Sequence, residues 1–454
     1  MNLSTLLRRA SLACAAIMAG LTSQAAEVTL NGFTTVGESK AIQVTYALNK
    51  TDKVARVRRV DDTSTSDKKR KSCVIPQTIT VDKVKYTVKY IGTGAFSHIT
   101  DGFDPLPNDK NACKFQRVEL PNTITEIGER AFLCMSTLKN CNIPTSVQII
   151  HPFAFMKSGL ESATIPASCT VIGASAFDKS ALKSISFAEG SNSLGIGTWA
   201  FNKTKITSLT TPKRLNAIYF NAFYDCAALT DVTLNGTFTE IPEHCFTGCE
   251  SILRFTCNAP ITTIGHNAFS NGMDNLQSFK INSNALRTIE SYAFNRTGIT
   301  SAGPEILKEG MIFISQGLFS DCPKFTSVVI PTTVMKIGLD AFDNSPNLRR
   351  IDCYTAVPPE INNLLTFTEE TFKNADVNVR PELAPMFSRA DYWRSFNWSK
   401  YGIGATDDIP VDDYDPSQPV EYYNLQGMRV DADALTPGIY IRRHGGKSEK
   451  IAIR

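Results

Sequence analysis

The sequence predicts a right-handed β-rich solenoid of about eleven turns, each of about 23 residues, with a cap at either end and a small C-terminal β-module. Three observations predict it. The pattern Ile-Gly-x-x-Ala-Phe, or a looser copy of it, begins at Ile91, Ile127, Ile150, Ile172, Ile196, Ile218, Ile241, Ile264, Ile289, Ile314 and Ile337, at intervals of 36, 23, 22, 24, 22, 23, 23, 25, 25 and 23 residues. After each Phe come a small residue, a Leu or Ile, and a short alternating run often closed by Pro, as in Leu138-x-x-Cys141-x-Ile143-Pro144 and Phe325-x-x-Val328-x-Ile330-Pro331. Each copy holds only five or six apolar side chains, too few to offset the entropy of ordering it alone, so copies must stack and share hydrogen-bond ladders.

Residues 1–25 read as a secretory signal peptide: Arg8 and Arg9 precede the apolar run Ala10 to Leu21, and small residues at Ala25 and Ala26 suit a signal peptidase. That run is shorter than the ~20 residues that span a bilayer core, and no later segment approaches such a length. No transmembrane segment is therefore expected after signal removal, and the mature chain is expected at the cell surface, secreted or in the periplasm. Residues 26–89 are expected to form a β-rich cap, with alternating runs at Cys73-Val74-Ile75 and Tyr86-Thr87-Val88. Residues 90–358 hold the repeats. Alternation there marks a strand with one buried face, and Pro ends it for want of a backbone donor.

The full pattern, Ile-Gly-x-x-Ala-Phe-x-x-Cys/Ser-x-x-Leu-x-x-Ile-x-Ile-Pro, resembles the repeat signature of the BspA-like leucine-rich repeat family, surface proteins of the Bacteroidota type. The resemblance runs from Tyr90 to about Pro359. It implies a leucine-rich-repeat solenoid, an entry segment over the first turn, and adhesion to host proteins or other cells. It also implies a C-terminal cap at 359–401, with a closing strand near Val377-Asn378-Val379 and an aromatic helix at Tyr392-Trp393-Arg394-Ser395-Phe396. Residues 402–419, with Asp407, Asp408, Asp412, Asp413, Asp415 and three Pro, read as an acidic solvated linker. Residues 420–454 hold two alternating runs, Tyr422 to Val430 and Pro437 to Arg442, which suggest a hairpin or small β-module. This module resembles C-terminal domains of exported Bacteroidota proteins, including the sorting domains of type IX secretion; a plain terminal sheet is the other reading.

Charge and motifs narrow the chemistry. With 47 basic and 44 acidic side chains in 454 residues, the chain has no basic excess to attract nucleic acid. No P-loop, His-Glu-x-x-His or Gly-x-Ser-x-Gly elbow occurs, and Gly92-Thr93-Gly94 sits in the repeat phase. No catalytic residue, cofactor or metal is therefore expected. His244 and His266 fall at turn positions of successive copies, where surface imidazoles are expected rather than a metal pair. Most cysteines should be buried small residues. Cys226 and Cys249 share one phase in adjacent turns and form the one candidate disulfide.

The surplus of 26 Phe over three Trp has a structural address. One place of the repeat holds Phe96, Phe132, Phe155, Phe177, Phe201, Phe223, Phe246, Phe269, Phe294, Phe319 and Phe342, which stacking would turn into a column. The polar face of the strands offers the candidate site. Ser162, Ser184, Ser208, Asp231 and Arg254 form one row, and Thr164, Ser186, Thr210, Thr233 and Thr256 another, two residues on. Thr suits strands in any case, so these rows read either as ordinary strand surface or as a regular hydrogen-bonding face for a protein or glycan. The expected protein is thus a monomeric, exported, non-enzymatic binder of an extracellular protein or glycan that acts in adhesion. The alternative is a glycan-binding surface protein of a nutrient-capture system, against which the lack of aromatic platforms in the polar rows counts.

Overall fold

A computed structural model describes residues 26–34, 37–62, 72–98, 113–361, 364–402, 420–424, 429–444 and 447–453. The expected signal peptide, and the acidic linker beyond Gly402, lie outside the described residues. The chain is a β-solenoid of about eleven turns. It divides into two compact units, residues 1–204 and 205–454, built on the same turn.

Each turn has two short strands. The first is the alternating run: in Ser162–Ile165, Ser162 and Thr164 are exposed while Ala163 and Ile165 are buried. The second is mostly two residues long and ends on the Ile of the hexapeptide, as in Glu126–Ile127 and Val171–Ile172. Parallel pairing holds like residues in register, so Ile91, Ile127, Ile150, Ile172 and Ile196 form one column in the first unit. In the second unit Ile241, Ile264 and Ile289 form another, and Ile314, Ile337 and Ile361 a third.

A third ladder joins the turns, and no glycine pattern advertises it. The residues three and seven places after the Ile adopt left-handed backbone: Arg130 and Cys134, Phe153 and Lys157, Ser175 and Lys179, then His244 and Gly248, Asn267 and Asn271, Tyr292 and Arg296. Such a conformation costs an L-residue about 1–2 kcal/mol. It turns each N–H toward the next turn, where Arg130 donates to the Pro152 carbonyl at 3.1 Å and Cys134, Lys157 and Lys179 to those of Met156, Asp178 and Asn202 at 2.8 Å. These bonds offset the local strain and leave the side chain free to vary.

Inside, the phenylalanines stack as expected. In the first unit Phe96, Phe132, Phe155, Phe177 and Phe201 follow at 4.7, 4.9, 5.2 and 5.3 Å between ring centroids. In the second, Phe223, Phe246, Phe269, Phe294, Phe319 and Phe342 follow at 5.4, 5.7, 5.3, 5.6 and 5.9 Å. The column continues past the eleventh copy: Phe367 stacks on Phe342 at 5.1 Å, and Ile361 pairs with Ile337.

Both ends are closed. Strands β1 (Ala26–Thr34), β2 (Gly37–Asn49) and β3 (Val54–Asp62) form an antiparallel sheet. β3 pairs with Val84–Ile91 at the head of the second-strand ladder, and β1 meets Ser72–Val74 at the head of the first. One sheet therefore seals both open edges. At the other end Asp376–Asn378 adds a last strand, as expected. The expected aromatic helix is a single 3-10 turn, Trp393–Ser395, with Tyr392 before it at φ 63° interrupting helical backbone. Phe396 and Trp393 meet Phe367 edge on, at 5.3 and 6.3 Å, so the column ends against crossed rings. The C-terminal module is a four-stranded antiparallel sheet, Arg429–Val430, Glu421–Tyr423, Gly438–His444 and Lys447–Ile453 in order. It has more strands than two runs predict: the first run contributes two, and Lys447–Ile453 adds another.

Candidate functional site

The outer face of the first-strand sheet carries the polar rows. In the first unit Ser162 pairs with Ser184 and Thr164 with Ser186, and the Thr164 and Ser186 hydroxyls are 2.9 Å apart. In the second, Ser208, Asp231, Arg254 and Ser278 run side by side, as do Thr210, Thr233, Thr256 and Lys280. Asp231 and Arg254 interrupt the hydroxyl row but pair with each other, the Arg254 guanidinium donating to Asp231 Oδ1 at 2.5 Å. Both are substantially exposed, so the pair adds little to stability and leaves the face close to neutral.

In the first unit this face opens into a trough. Among the described residues no ladder joins Asn140–Cys141 to Ser162–Ile165. The Asn142 side chain takes over where pairing stops, accepting the Leu120 N–H at 2.8 Å and donating to the Leu120 carbonyl at 2.7 Å. The trough, of about 550 Å³, has Val118, Cys141 and Ala163 in its floor and Arg117, Glu119, Asn140, Asn142, Ser162 and Thr164 around it. Arg117 and Glu119 are paired at 2.8 Å. Next to it Glu161 receives Lys139 at 3.1 Å and Lys183 at 3.2 Å, and these two ammonium groups hold its carboxyl below the usual carboxylate range. Ser162 and Thr164 thus lie at the trough, while Ser184 and Ser186 continue the face beyond it.

Sequence reasoning missed two parts of this face. Downstream, Arg350 donates to both oxygens of Asp352 at 2.9 Å, Asn378 donates to Asp352 at 2.6 Å, and Lys400 reaches Asp376 at 3.2 Å. The spacing of Asp231 and Arg254 was the available signal, since Arg350 and Asp376 occupy the same kind of paired positions. A short amide ladder also runs beside the strands, Asn258 donating to Asn235 at 2.8 Å and Asn282 to Asn258 at 2.6 Å. Its signal was Asn recurring after the last inward residue of successive copies.

Elsewhere the reactive groups face inward or each other. Cys226 and Cys249 lie in the same place of adjacent turns, both buried, with no disulfide joining them. Burial first, then contact with Cys226, pushes the Cys249 thiol well above its ordinary value. His98, Cys113 and Asp61 converge, with Cys113 Sγ 3.9 Å and Asp61 Oδ1 3.6 Å from His98 Nε2. That nitrogen lies 2.6 Å from the Val60 carbonyl oxygen, to which it donates, and the Cys113 thiol donates to the same oxygen at 2.9 Å. The imidazole therefore offers the thiol no lone pair, and burial pushes the thiol well up. His244 and His266 do neighbour each other, with ring centroids 5.8 Å apart. Carboxylates accompany them: Glu243 lies 3.5 Å from His244 Nε2, and Glu290 accepts the His266 backbone N–H at 2.9 Å. Among the described residues no three such groups are arranged to hold a metal ion.

Residues 110–196, 182–300 and 287–376 match the family model described as BspA type leucine rich repeat region, in six copies. Among solved structures the chain is similar to a leucine-rich repeat protein from Bacteroides ovatus, with 20% identity, 74% of this chain and 75% of that chain covered, and a TM-score of 0.52. It is also similar to the pneumococcal vaccine antigen PcpA, with 19% identity, 77% and 95% covered, and a TM-score of 0.45. A leucine rich cell surface protein from Faecalibacterium prausnitzii gives 18% identity, 75% and 93% covered, and a TM-score of 0.36. The first likeness shows the fold. No curated protein matches the chain in sequence. None of these similarities indicates a catalytic family.

Proposed function

Because the chain belongs to the BspA-type leucine-rich repeat family, we propose that it is an exported, non-catalytic repeat protein whose polar strand face binds an extracellular protein and mediates adhesion. The observation that carries this reading is the register of the face: hydroxyl and amide groups repeat turn by turn on rigid strands, beside an open polar trough. Such groups reach a partner without first being ordered, which lowers the entropic cost of binding. Near-neutral charge leaves specificity to hydrogen bonding and shape rather than to bulk attraction. The protein acts as a monomer.

Lys at Thr164, Thr210 and Thr233 introduces three charges into this face. In a screen of the mature chain from Ala26 against extracellular-matrix proteins, this triple variant is expected to bind its partner at least roughly tenfold more weakly while melting like the parent. Unchanged binding would remove the strand face as the site. Export is proposed from the N-terminal leader and from the C-terminal sheet, assigned here a sorting role. Deleting residues 420–454 is expected to leave the protein inside the cell envelope, and surface display of the shortened chain would refute that role.

A further inference from the structure

We infer that the turn edge of the first unit carries a cationic ridge, in which Lys157, Lys179 and Lys203 on three successive turns receive an extended acidic polysaccharide. This ridge is not part of the strand face and does not depend on its role.

The three lysines occupy one place of the repeat, seven residues after the Ile and two after the stacked Phe. All adopt left-handed backbone, with φ of 54°, 55° and 54°. The Lys157 and Lys179 N–H groups donate to the next turn, at the Asp178 and Asn202 carbonyls, which holds these places in register. The phenylalanines two places before them advance by 5.2 and 5.3 Å from ring to ring, and the lysines advance with them. Lys157 is half-buried, and Lys179 and Lys203 are exposed. Nothing in the fold requires lysine here. The equivalent places of the second unit hold Asp225, Gly248, Asn271, Arg296, Asp321 and Asn344, mostly residues that tolerate left-handed backbone well. That row carries one cation and two anions. The first unit instead sets three like charges one above another, an arrangement that weakens the fold and is relieved by an anionic partner.

One carboxyl lies beneath the ridge. Asp178 is buried, receives the Asn202 side-chain N–H at 2.7 Å and lies 3.8 Å from Lys179 Nζ. Burial pushes its carboxyl above the ordinary range, against the pull of Lys179, Asn202, Lys157 and Lys203. The three ammonium groups thus share a single acid, itself disfavoured as an anion, and the ridge keeps a net positive charge. The wider segment agrees: residues 131–204 hold five Lys, three carboxylates and no Arg, with Lys139 and Lys183 sharing Glu161. Spacing selects the ligand. A straight row of single charges, one per turn, matches a linear polymer with one carboxylate or sulfate per sugar, whose pyranose units advance by a similar length in an extended chain. Ammonium groups are compact point charges on flexible stems and receive carboxylate or sulfate alike. A protein partner would present mixed signs to this row, and a DNA duplex a phosphate every ~3.4 Å along each strand, out of step with the turns.

Surface plasmon resonance of the full chain tests this at ~0.1 M salt, where charges more than ~10 Å apart are largely screened. Polygalacturonate serves as the carboxylate probe, carrageenan as the sulfate probe, galactomannan as the neutral control and duplex DNA as the other polyanion. At least one acidic polysaccharide is expected to bind, more tightly than DNA, and galactomannan is not. Combined Lys157→Asn, Lys179→Asn and Lys203→Asn places a residue suited to left-handed backbone, as at Asn271 and Asn344, and should melt like the parent. It is expected to weaken binding roughly tenfold or more and to reduce the slope of log affinity against log salt by about 2. The corresponding Arg substitutions should preserve binding. Lys179→Asn alone, at an exposed position, is expected to weaken it measurably, which keeps the test decisive if the triple variant unfolds. A charge-matched variant of exposed lysines in the second unit, Lys213→Asn, Lys280→Asn and Lys373→Asn, should leave it nearly unchanged. No binding to either acidic polysaccharide, equal loss in the two triple Asn variants, or DNA bound as tightly as the polysaccharides would each overturn the proposal.

Discussion

Replacing Phe177 by Ala is expected to destabilise the first unit by roughly 3–5 kcal/mol, read as a fall in the urea midpoint at unchanged slope. The side chain is fully buried and lies between Phe155 at 5.2 Å and Phe201 at 5.3 Å, both parallel to it within 3°. Truncation removes the apolar area of one ring and two stacking contacts, each worth about 0.5–1.5 kcal/mol beyond area. It also leaves a cavity that cannot close. The turns on either side are held at fixed spacing by the second-strand ladder and by the backbone bonds between turn segments, so Phe155 and Phe201 cannot move together to fill it. Phe177→Leu keeps much of the volume and should lose about half as much or less. A loss under about 1 kcal/mol for the Ala variant would show that the column does not hold the turns together.

Gly173→Val is expected to prevent soluble accumulation of the protein, and Gly173→Ala to cost at least about 1–3 kcal/mol. This glycine follows the Ile of its hexapeptide and has an ordinary negative φ, so backbone freedom is not the reason for it. A Cβ there would stand 2.5 Å from the Pro152 nitrogen and 2.7 Å from the His151 carbonyl carbon, and backbone cannot step aside as a flexible side chain can. Gly128, Gly197, Gly265 and Gly338 meet the preceding turn in the same way. Two copies with a larger residue at this place make a specific contact with the turn before: His151 bonds Glu126 at 3.1 Å, and Ser315 donates to the Ile289 carbonyl. The first of these holds the Glu126 carboxyl below its usual range. An Ala variant with the parental melting temperature would overturn the close-approach argument.

The turns were legible because each place in the hexapeptide meets one local demand: Ile ends a strand, Gly admits a neighbouring backbone, and Phe fills the interior. The left-handed pair was not legible, because the bonds to the next turn come from backbone N–H groups, and residues as different as Arg130, Phe153 and Ser175 can donate them. The rung at Ile361 was hidden by one extra residue before Phe367 and by Thr366 at the expected Phe position. For the strand face, alternation predicted the rows and period two their register, but not the trough. Its cause is that no ladder joins Asn140–Cys141 to Ser162–Ile165, so the face opens between those two turns.

The sheet of β1 to β3 satisfies both first-turn edges at once, whereas the turns behind it repeat one pattern of backbone bonds, interrupted on the first-strand face as between Asn140–Cys141 and Ser162–Ile165. Whole turns are therefore interchangeable modules behind a fixed lid. Within a run of continuous ladders, an in-frame duplication or deletion of one copy would preserve the interfaces, because each new junction joins the same two kinds of surface. Recombination between the repeated coding segments could then lengthen or shorten the binding surface in discrete steps, changing reach without redesigning chemistry, with the two sealed ends marking where such exchange must stop.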